Sequence, residues 1–542
     1  MEWVDKKGLG HHVPSCPCWR CHLFRLVGLA FAGRLVESDS RIEPRSVSLS
    51  TRLELPQPRT AETASVLALR SRWLVLGVVL VGSFMAVLDV FIVTQGLPSI
   101  RTTLGAGVSD LELVVSAYSL VYAVFLITGG RLGDILDRKR IFLFGMTVFT
   151  VASALAGYAP SAPFLVGARA LQGLGAALMY PQVLSIIQVT FKGPERSLAL
   201  GVFAAISGIG AITGNIIGGL LIQLNLAGLA WRPIFLVNVP IGIFGVLAGF
   251  LVLKPSRAER APKLDLPGVG LISLFLVSLI LPLAEGQQLG WPTWMILLLL
   301  LSLPLLGVFV LYERRRTEAG ADPLVDMDLF KHRSFAVGMP LVILYYIAAS
   351  GFFFTFVLFL QSGLGFSPVA SGLSFAAINT GFITASLLGP RLIPRWGTRL
   401  LSFAYALQAA GLVWTMFTVT SSGTSLTLSE LAIPLSVFGL GAGFALSPLL
   451  GIILSGVPSQ DVGAASGVVS TSMQIGNTVG ISLFGLVFYR FLSSQLSSTP
   501  ISYLDAFKLT LPFLIIPSIS SLILVFLLSQ HRVRQIVHPL EA

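Results

Sequence analysis

Runs of about 20 predominantly apolar residues recur along most of the chain, each long enough as a helix to cross a bilayer. They predict spanning helices near 73–97, 112–130, 141–159, 163–188, 198–222, 234–253, 266–284, 292–312, 335–361, 368–390, 399–420, 428–455, 462–492 and 508–529, fourteen in all. The run 462–492 is rich in Gly and Ser and has the weakest claim by hydropathy. Without it the two termini would lie on opposite sides of the membrane.

The polar positions between the runs orient them. Loops after the even-numbered spans collect 18 Lys and Arg residues, including the groups at 138–140 and 314–316 and Arg391, Arg395 and Arg399. The opposite loops and adjoining helix ends hold four, Arg101, Arg232, Arg490 and Lys508. Positive charge stays in the cytoplasm during insertion, so this asymmetry predicts cytoplasmic even-numbered loops and cytoplasmic termini.

Composition agrees. Of 542 residues, 54% are hydrophobic and 11% charged, whereas soluble domains carry roughly 25% charged residues. A string of water-soluble domains is excluded, and the chain reads as an all-α polytopic membrane protein. The net charge of +11 would suit a nucleic-acid partner, but its location in short membrane loops argues against one.

Residues 1–72 differ in kind. They carry eleven of the thirty-six Lys and Arg residues and no long helical period, which predicts a disordered cytoplasmic tail. Cys16, Cys18 and Cys21, the only cysteines, all lie there near His11, His12 and His22. Their spacing resembles no standard zinc finger and no second cysteine pair closes a site, so no metal is assigned.

Intramembrane charge is scarce. Asp89 is the acid well inside a predicted span, and Arg169 is the corresponding base; no histidine falls within a span. Glu285 and Glu430 sit near helix ends, within expected reach of water. An ionised group at mid-bilayer costs roughly 2.5–3.5 kcal/mol on insertion scales, which marks Asp89 and Arg169 as functional candidates. Desolvation disfavours the charged carboxyl, so Asp89 is suited to gain and lose a proton. A purely structural neutralising pair is the alternative.

Several motifs surround these charges. Between the second and third spans stands Gly130-Arg131-Leu132-Gly133-Asp134-Ile135-Leu136-Asp137-Arg138-Lys139-Arg140. Glycines allow a tight turn there, Asp134 can cap a helix or pair with an arginine, and the basic residues anchor the loop. The fourth span contains Arg169, Gln172, Gly173 and Gly175, with Arg169 and Gln172 on one helix face. In the fifth, Gly210, Gly214 and Gly218 form a small-residue stripe, followed by Gly219 and interrupted by Asn215. The first span reads Leu88-Asp89-Val90-Phe91-Ile92-Val93-Thr94-Gln95-Gly96-Leu97-Pro98, and 231–240 reads Trp-Arg-Pro-Ile-Phe-Leu-Val-Asn-Val-Pro. Ala465-Ser466-Gly467, Gln474 and Gly476 complete the set.

Together these motifs resemble the major facilitator superfamily and, within it, the fourteen-span drug:proton antiporters, over about 73–530. Asp137 stands in place of the loop's usual second glycine, and Asn215 in place of the antiporter motif's proline. The resemblance implies six-helix halves at 73–253 and 335–530, two inserted helices within 254–334, and a short tail at 531–542. It also implies a midplane site about which the halves rock.

The activity so implied is efflux of small amphipathic or cationic compounds in exchange for protons, by a monomer in the plasma membrane, with no cofactor beyond the proton gradient. Asp89 and Arg169 would couple protons. Gln172, Asn215, Phe353 and Gln474 would face substrate, with Phe352, Phe354 and Phe356 beside Phe353 offering an apolar wall or a lipid-facing surface. Gly130, Gly133, Asp134, Arg138, Lys139 and Arg140 would form a gating latch, and Gly210, Gly214, Gly218 and Gly219 a packing groove. A dedicated metabolite, lipid or nutrient carrier shares these features, as would a non-transporting sensor. A membrane enzyme is disfavoured because no HExxH or GxSxG constellation is present, and a transport ATPase because no phosphate-cradling loop is.

Overall fold

A computed structural model describes residues 60–537 apart from 226–227, 257–262, 287–288, 367, 398, 456, 459 and 494–498. The cysteine-rich tail and the last five residues lie outside the described residues, as do the side chains of 60–71, Pro98, 108–109, Glu112, Asn215, 368–369, Ser493 and 527–537.

Among the described residues there are fourteen helices long and apolar enough to span a membrane. In chain order the elements are α1 (Thr60–Leu104), α2 (Val108–Leu136), α3 (Arg138–Gly157), α4 (Ala162–Thr190), α5 (Gly193–Leu224), α6 (Pro233–Leu236) and α7 (Asn238–Val252). They continue with α8 (Leu266–Glu285), α9 (Thr293–Glu318), α10 (Arg333–Leu358), α11 (Pro368–Trp396), α12 (Arg399–Ser422), α13 (Leu428–Ser455), α14 (Val462–Ser493) and α15 (Pro500–Val537). The sixth span comprises α6 and α7, and a π-helical turn at Phe359–Gly363 ends the ninth. The Gly- and Ser-rich run is a full helix, α14; small residues at 463, 467, 476 and 480 let it lie against neighbouring backbones, where packing replaces hydropathy as the reason to be helical.

The helices before and after the α8–α9 insertion repeat one arrangement. Helix α4 packs on α2 and α3, and α13 packs on α11 and α12. The approach is close enough to exclude side chains. A Cβ at Gly129 in α2 would stand 2.3 Å from the Ala177 carbonyl oxygen of α4, and one at Gly439 in α13 would stand 1.9 Å from that of Ile378 in α11. The two groups of helices meet through α2–α14, α4–α14, α5–α11 and α5–α13. Helices α8 and α9 pack on each other, and α8 also leans on α2 and α14.

Burial corrects one reading of the acids. Glu285 is only 7% exposed rather than open to water; beside it Trp291 donates its backbone N–H to the Gly286 carbonyl.

Gly439→Val should therefore force α11 and α13 apart, at a cost of about 1–3 kcal/mol or more. A lowered Tm of the detergent-purified protein, against an unchanged Tm for Gly270→Val, where no atom stands within 4 Å, is the expected result.

Candidate functional site

Asp89 and Arg169 meet inside the bundle. Arg169, in α4, donates from Nη1 to Asp89 Oδ2 at 2.5 Å, and the residues are 1% and 0% exposed. The rest of the network satisfies both ions. Arg169 donates from Nε to the Val114 carbonyl of α2 (3.0 Å) and from Nη1 to Gln172 Oε1 (2.7 Å). Gln172 Nε2 donates in turn to Asp89 Oδ1 (2.7 Å) and to Ser153 Oγ of α3 (2.9 Å). Asn238, the first residue of α7, donates to Asp89 Oδ1 at 3.2 Å. The guanidinium lies 4.4 Å from the ring centroid of Tyr118 and 5.7 Å from that of Phe235, within cation–π range.

Gln172, expected beside substrate, is instead fully buried in this network. The i, i+3 spacing that placed it on Arg169's face also puts it within reach of the carboxylate. Ser153 and Asn238 are partners the sequence did not assign. Asn238 was visible within the motif at 231–240, but a serine in an apolar helix gives no signal of its own.

From Tyr118 an aromatic series leads away from the ion pair. Tyr118 stacks on Tyr122 at 5.7 Å, Tyr122 meets Tyr180 edge-on at 6.2 Å, and Tyr180 packs on Phe203 at 5.9 Å. Tyr346 of α10, across the interface between the two groups of helices, is an electrostatic neighbour of Tyr122 and Tyr180. Tyr122 and Tyr346 are both half-buried. Sequence reasoning passed over these tyrosines because they share no motif and converge only in the fold.

Phe353 is half-buried and packs against Phe375 and Phe438, at 5.5 and 6.4 Å. Phe352 and Phe356 are fully buried against Phe438 and Phe507, so these two form an internal aromatic core and face neither lipid nor an open wall. Gln474 is half-buried on α14, and the Asn215 side chain lies outside the described residues. The glycine stripe of α5 does pack on α1: Cβ atoms at Gly210, Gly214 and Gly218 would fall 3.2 Å from Phe84 O, 2.7 Å from Leu88 O and 2.9 Å from Ile92 Cγ1. Gly219 is not part of this groove, having nothing within 4 Å, because it lies one step round the helix from Gly218.

A second constellation closes the basic end of the bundle. Asp134 accepts from the backbone N–H groups of Gly463 (3.0 Å) and Ala464 (2.9 Å) at the start of α14, and from Arg138 Nη2 at 2.7 Å. A carboxylate here satisfies orphan donors and opposes the positive end of the helix dipole. Arg131 pairs with Asp461 at 3.5 Å and donates to the Pro323 carbonyl at 2.7 Å. Burial pushes the Asp461 carboxyl above the usual carboxylate range, and the neighbouring Arg131 partly offsets this. Gly130 lets α2 touch α14, since a Cβ there would stand 2.2 Å from Gly463 O. Ser185 donates to the Val462 carbonyl and Gln188 to that of Leu454.

The remaining loop residues stay within their own group of helices. Gly133 makes room for Gln182 of α4. Lys139 donates to the Phe250 and Leu253 carbonyls at the end of α7, so it does not reach α14, and the Arg140 side chain is exposed. Asp137 occupies φ 141°, a conformation that favours glycine. Its carboxylate holds the turn by accepting from Arg140 N and Ser256 N.

The sequence pattern of the Major Facilitator Superfamily matches residues 79–481. The chain is 35% identical over 429 residues to a probable actinorhodin transporter of Streptomyces coelicolor, covering 79% of this chain and 74% of that one. It is also 35% identical over 424 residues to the puromycin resistance protein pur8 of Streptomyces alboniger, covering 77% and 82%. The multidrug resistance protein Stp of Mycobacterium tuberculosis is 32% identical over 418 residues, covering 77% and 75%. Among solved structures, the human organic anion transporter MFSD10 (TETRAN) superposes with a TM-score of 0.59 at 15% identity, over 84% of this chain and all but 1% of that one, a likeness of fold.

Replacing Asp134 by Asn removes the charge from its bonds to Gly463, Ala464 and Arg138. The closed end should lose about 2 kcal/mol, roughly a thirtyfold shift between closed and open forms. A Ser466→Cys probe, at a fully buried position beside this contact, should then react faster with thiol reagents in a background with Cys16, Cys18 and Cys21 replaced by Ser.

Proposed function

The chain belongs to the Major Facilitator Superfamily, and from that premise we propose that it exports small amphipathic or cationic drug-like compounds in exchange for protons. It is a multi-pass membrane transporter of that superfamily, which is not a family of enzymes. Relatives named for transport of actinorhodin, or for multidrug or puromycin resistance, support the efflux reading. In this reading the protein is a monomer in the plasma membrane, with both termini and the basic end cytoplasmic, as the loop charges favour.

The observation that carries the coupling step is the buried Asp89–Arg169 pair and its network. Protonation of Asp89 from the outer side would cancel one charge of the pair. Arg169 would keep the Val114 carbonyl, Gln172 Oε1 and the Tyr118 ring as partners, so its charge need not leave the bundle. Its position over Tyr118 would change, and Tyr118 stacks on Tyr122 at the interface between the two groups of helices. Substrate held near Tyr122, Tyr180, Tyr346 and Gln474 would thus respond to the charge state of Asp89 without touching it. A cationic substrate would gain cation–π contacts with these rings. Dications would fit poorly, because no second carboxyl lies at mid-membrane depth in the α10–α15 sequence.

The latch around Asp134 would be the cytoplasmic gate. Opening it breaks charge-assisted bonds to α14, and substrate binding must supply the difference.

Proton-driven transport of a lipophilic cationic dye in inverted vesicles tests this reading. Asp89→Asn should lower transport by at least about tenfold, equivalent to 1.4 kcal/mol, while dye binding persists. Equal transport by both proteins would make Asp89 structural. If neither moves dye, a dedicated metabolite carrier replaces the drug exporter.

A further inference from the structure

The cytoplasmic ends of the inserted helices contain two buried acids that the coupling scheme does not use. Asp265, immediately before α8, and Glu313, in the last turns of α9, are 2% and 0% exposed. Neither stood out in the sequence, since both fall at span ends among basic residues. In the fold they face each other. Asp265 Oδ2 and Glu313 Oε1 both come within 2.6 Å of the point where a Cβ on Gly268 would stand, so only a glycine leaves room for the two carboxyls together. Neither oxygen accepts a hydrogen bond, and of the two only Asp265 Oδ2 has an ion-pair partner.

Charge counting exposes the difficulty. Arg316 Nε lies 3.2 Å from Asp265 Oδ2 and is the cation paired with this site. Tyr312 donates its hydroxyl to Asp265 Oδ1 at 3.0 Å, and the backbone N–H of Val325 donates to Glu313 Oε2 at 3.3 Å. Asp322 accepts from the backbone of Lys263, while Arg316 also donates to the Asp322 carbonyl. Two ionised carboxylates against one guanidinium leave a net buried negative charge, and like charges at this distance disfavour double ionisation. One proton held by Glu313 and donated from Oε1 to Asp265 Oδ2 restores neutrality with Arg316 and gives both oxygens a hydrogen bond.

The site also touches the gate. Glu313 holds Val325, and two residues earlier the Pro323 carbonyl accepts from Arg131, which pairs with Asp461 beside the start of α14. We infer that Asp265 and Glu313 form a second, cytoplasm-facing proton-binding site, and that the bound proton fixes the 322–325 segment against Arg131 and so holds the gate shut. Loss of that proton as cytoplasmic pH rises charges Glu313, pushes it from Asp265, and frees the segment from Arg131. The titratable groups around the pair are Tyr312, Arg316 and Asp322, and those around the gate contact are Arg131, Asp326 and Asp461. The insertion thereby acts as a pH-sensitive brake on the gate, separate from the Asp89 site.

Distances between spin labels at Lys192→Cys and Arg395→Cys, exposed positions at the same end of α5 and α11, test the assignment. The full chain is reconstituted in lipid nanodiscs without substrate, with Cys16, Cys18 and Cys21 replaced by Ser. Raising the pH from about 6 to about 9 should increase the open population, with a slope no steeper than the tenfold per pH unit allowed to one proton. Glu313→Gln, which keeps the shape and a permanent hydrogen on the site, should abolish that alkaline opening, and Asp265→Asn should do the same. Asp461→Asn should retain it. An alkaline opening that survives Glu313→Gln and Asp265→Asn, or disappears only with Asp461→Asn, overturns the proposal, as does a wild type whose distances do not change with pH. Because the readout is conformational and needs no substrate, it is independent of whether Asp89→Asn abolishes transport.

Discussion

A carboxylate and a guanidinium buried where a bilayer would surround the helices must be satisfied by the protein or removed. Taking each ion from water costs several kcal/mol even after relaxation, and mutual attraction offsets this only when the remaining donors and acceptors are also occupied. Asp89 and Arg169 meet that condition through Val114, Gln172, Ser153 and Asn238. These groups come from α2, α3, α4 and α7 and converge on α1. The ion pair is therefore a constraint on five helices at once. The Gly210–Gly214–Gly218 stripe adds α5 by bringing it onto the backbone around Leu88.

The later helices solve the corresponding packing problem without charge. Phe352, Phe356, Phe375, Phe438 and Phe507 fill the space among α10, α11, α13 and α15. An aromatic cluster is insensitive to protonation, whereas an ion pair loses its attraction when the carboxyl is neutralised. The same helix arrangement is thus built twice with different chemistry, an ion pair at the centre of the first group and packed rings in the second. Tyr118 links the ion pair to Tyr122, because an aromatic face attracts the guanidinium and stacks on its neighbour.

The basic end depends on a different balance. Asp134 is held by two backbone donors of α14, contacts made only while α2 and α14 touch, and by Arg138 of its own group of helices. Such bonds are strong because the acceptor is charged. The segment following α9 borders this contact through the Pro323 carbonyl, which accepts from Arg131, so the inserted pair of helices reaches the α2–α14 contact as well.

Apolar run length and loop charge determined the fourteen spans and their predicted orientation, since both follow from the chain's local free energy in lipid and water. The scarcity of intramembrane charge likewise singled out Asp89 and Arg169, because a buried ion is costly wherever its partner lies. What satisfies those ions was decided only by tertiary packing: Ser153 and Tyr118 are ordinary residues until α2, α3 and α4 bring them together. The same holds for Gly219, which continues the motif but not the contact, and for Lys139 and Arg140, which share the basic run of Arg138 but not its role. Asp265 and Glu313 lie 48 positions apart at two span ends, and no local pattern reveals that they share one pocket. Sequence fixes which groups are costly to bury; only the three-dimensional arrangement of helices determines which of them meet.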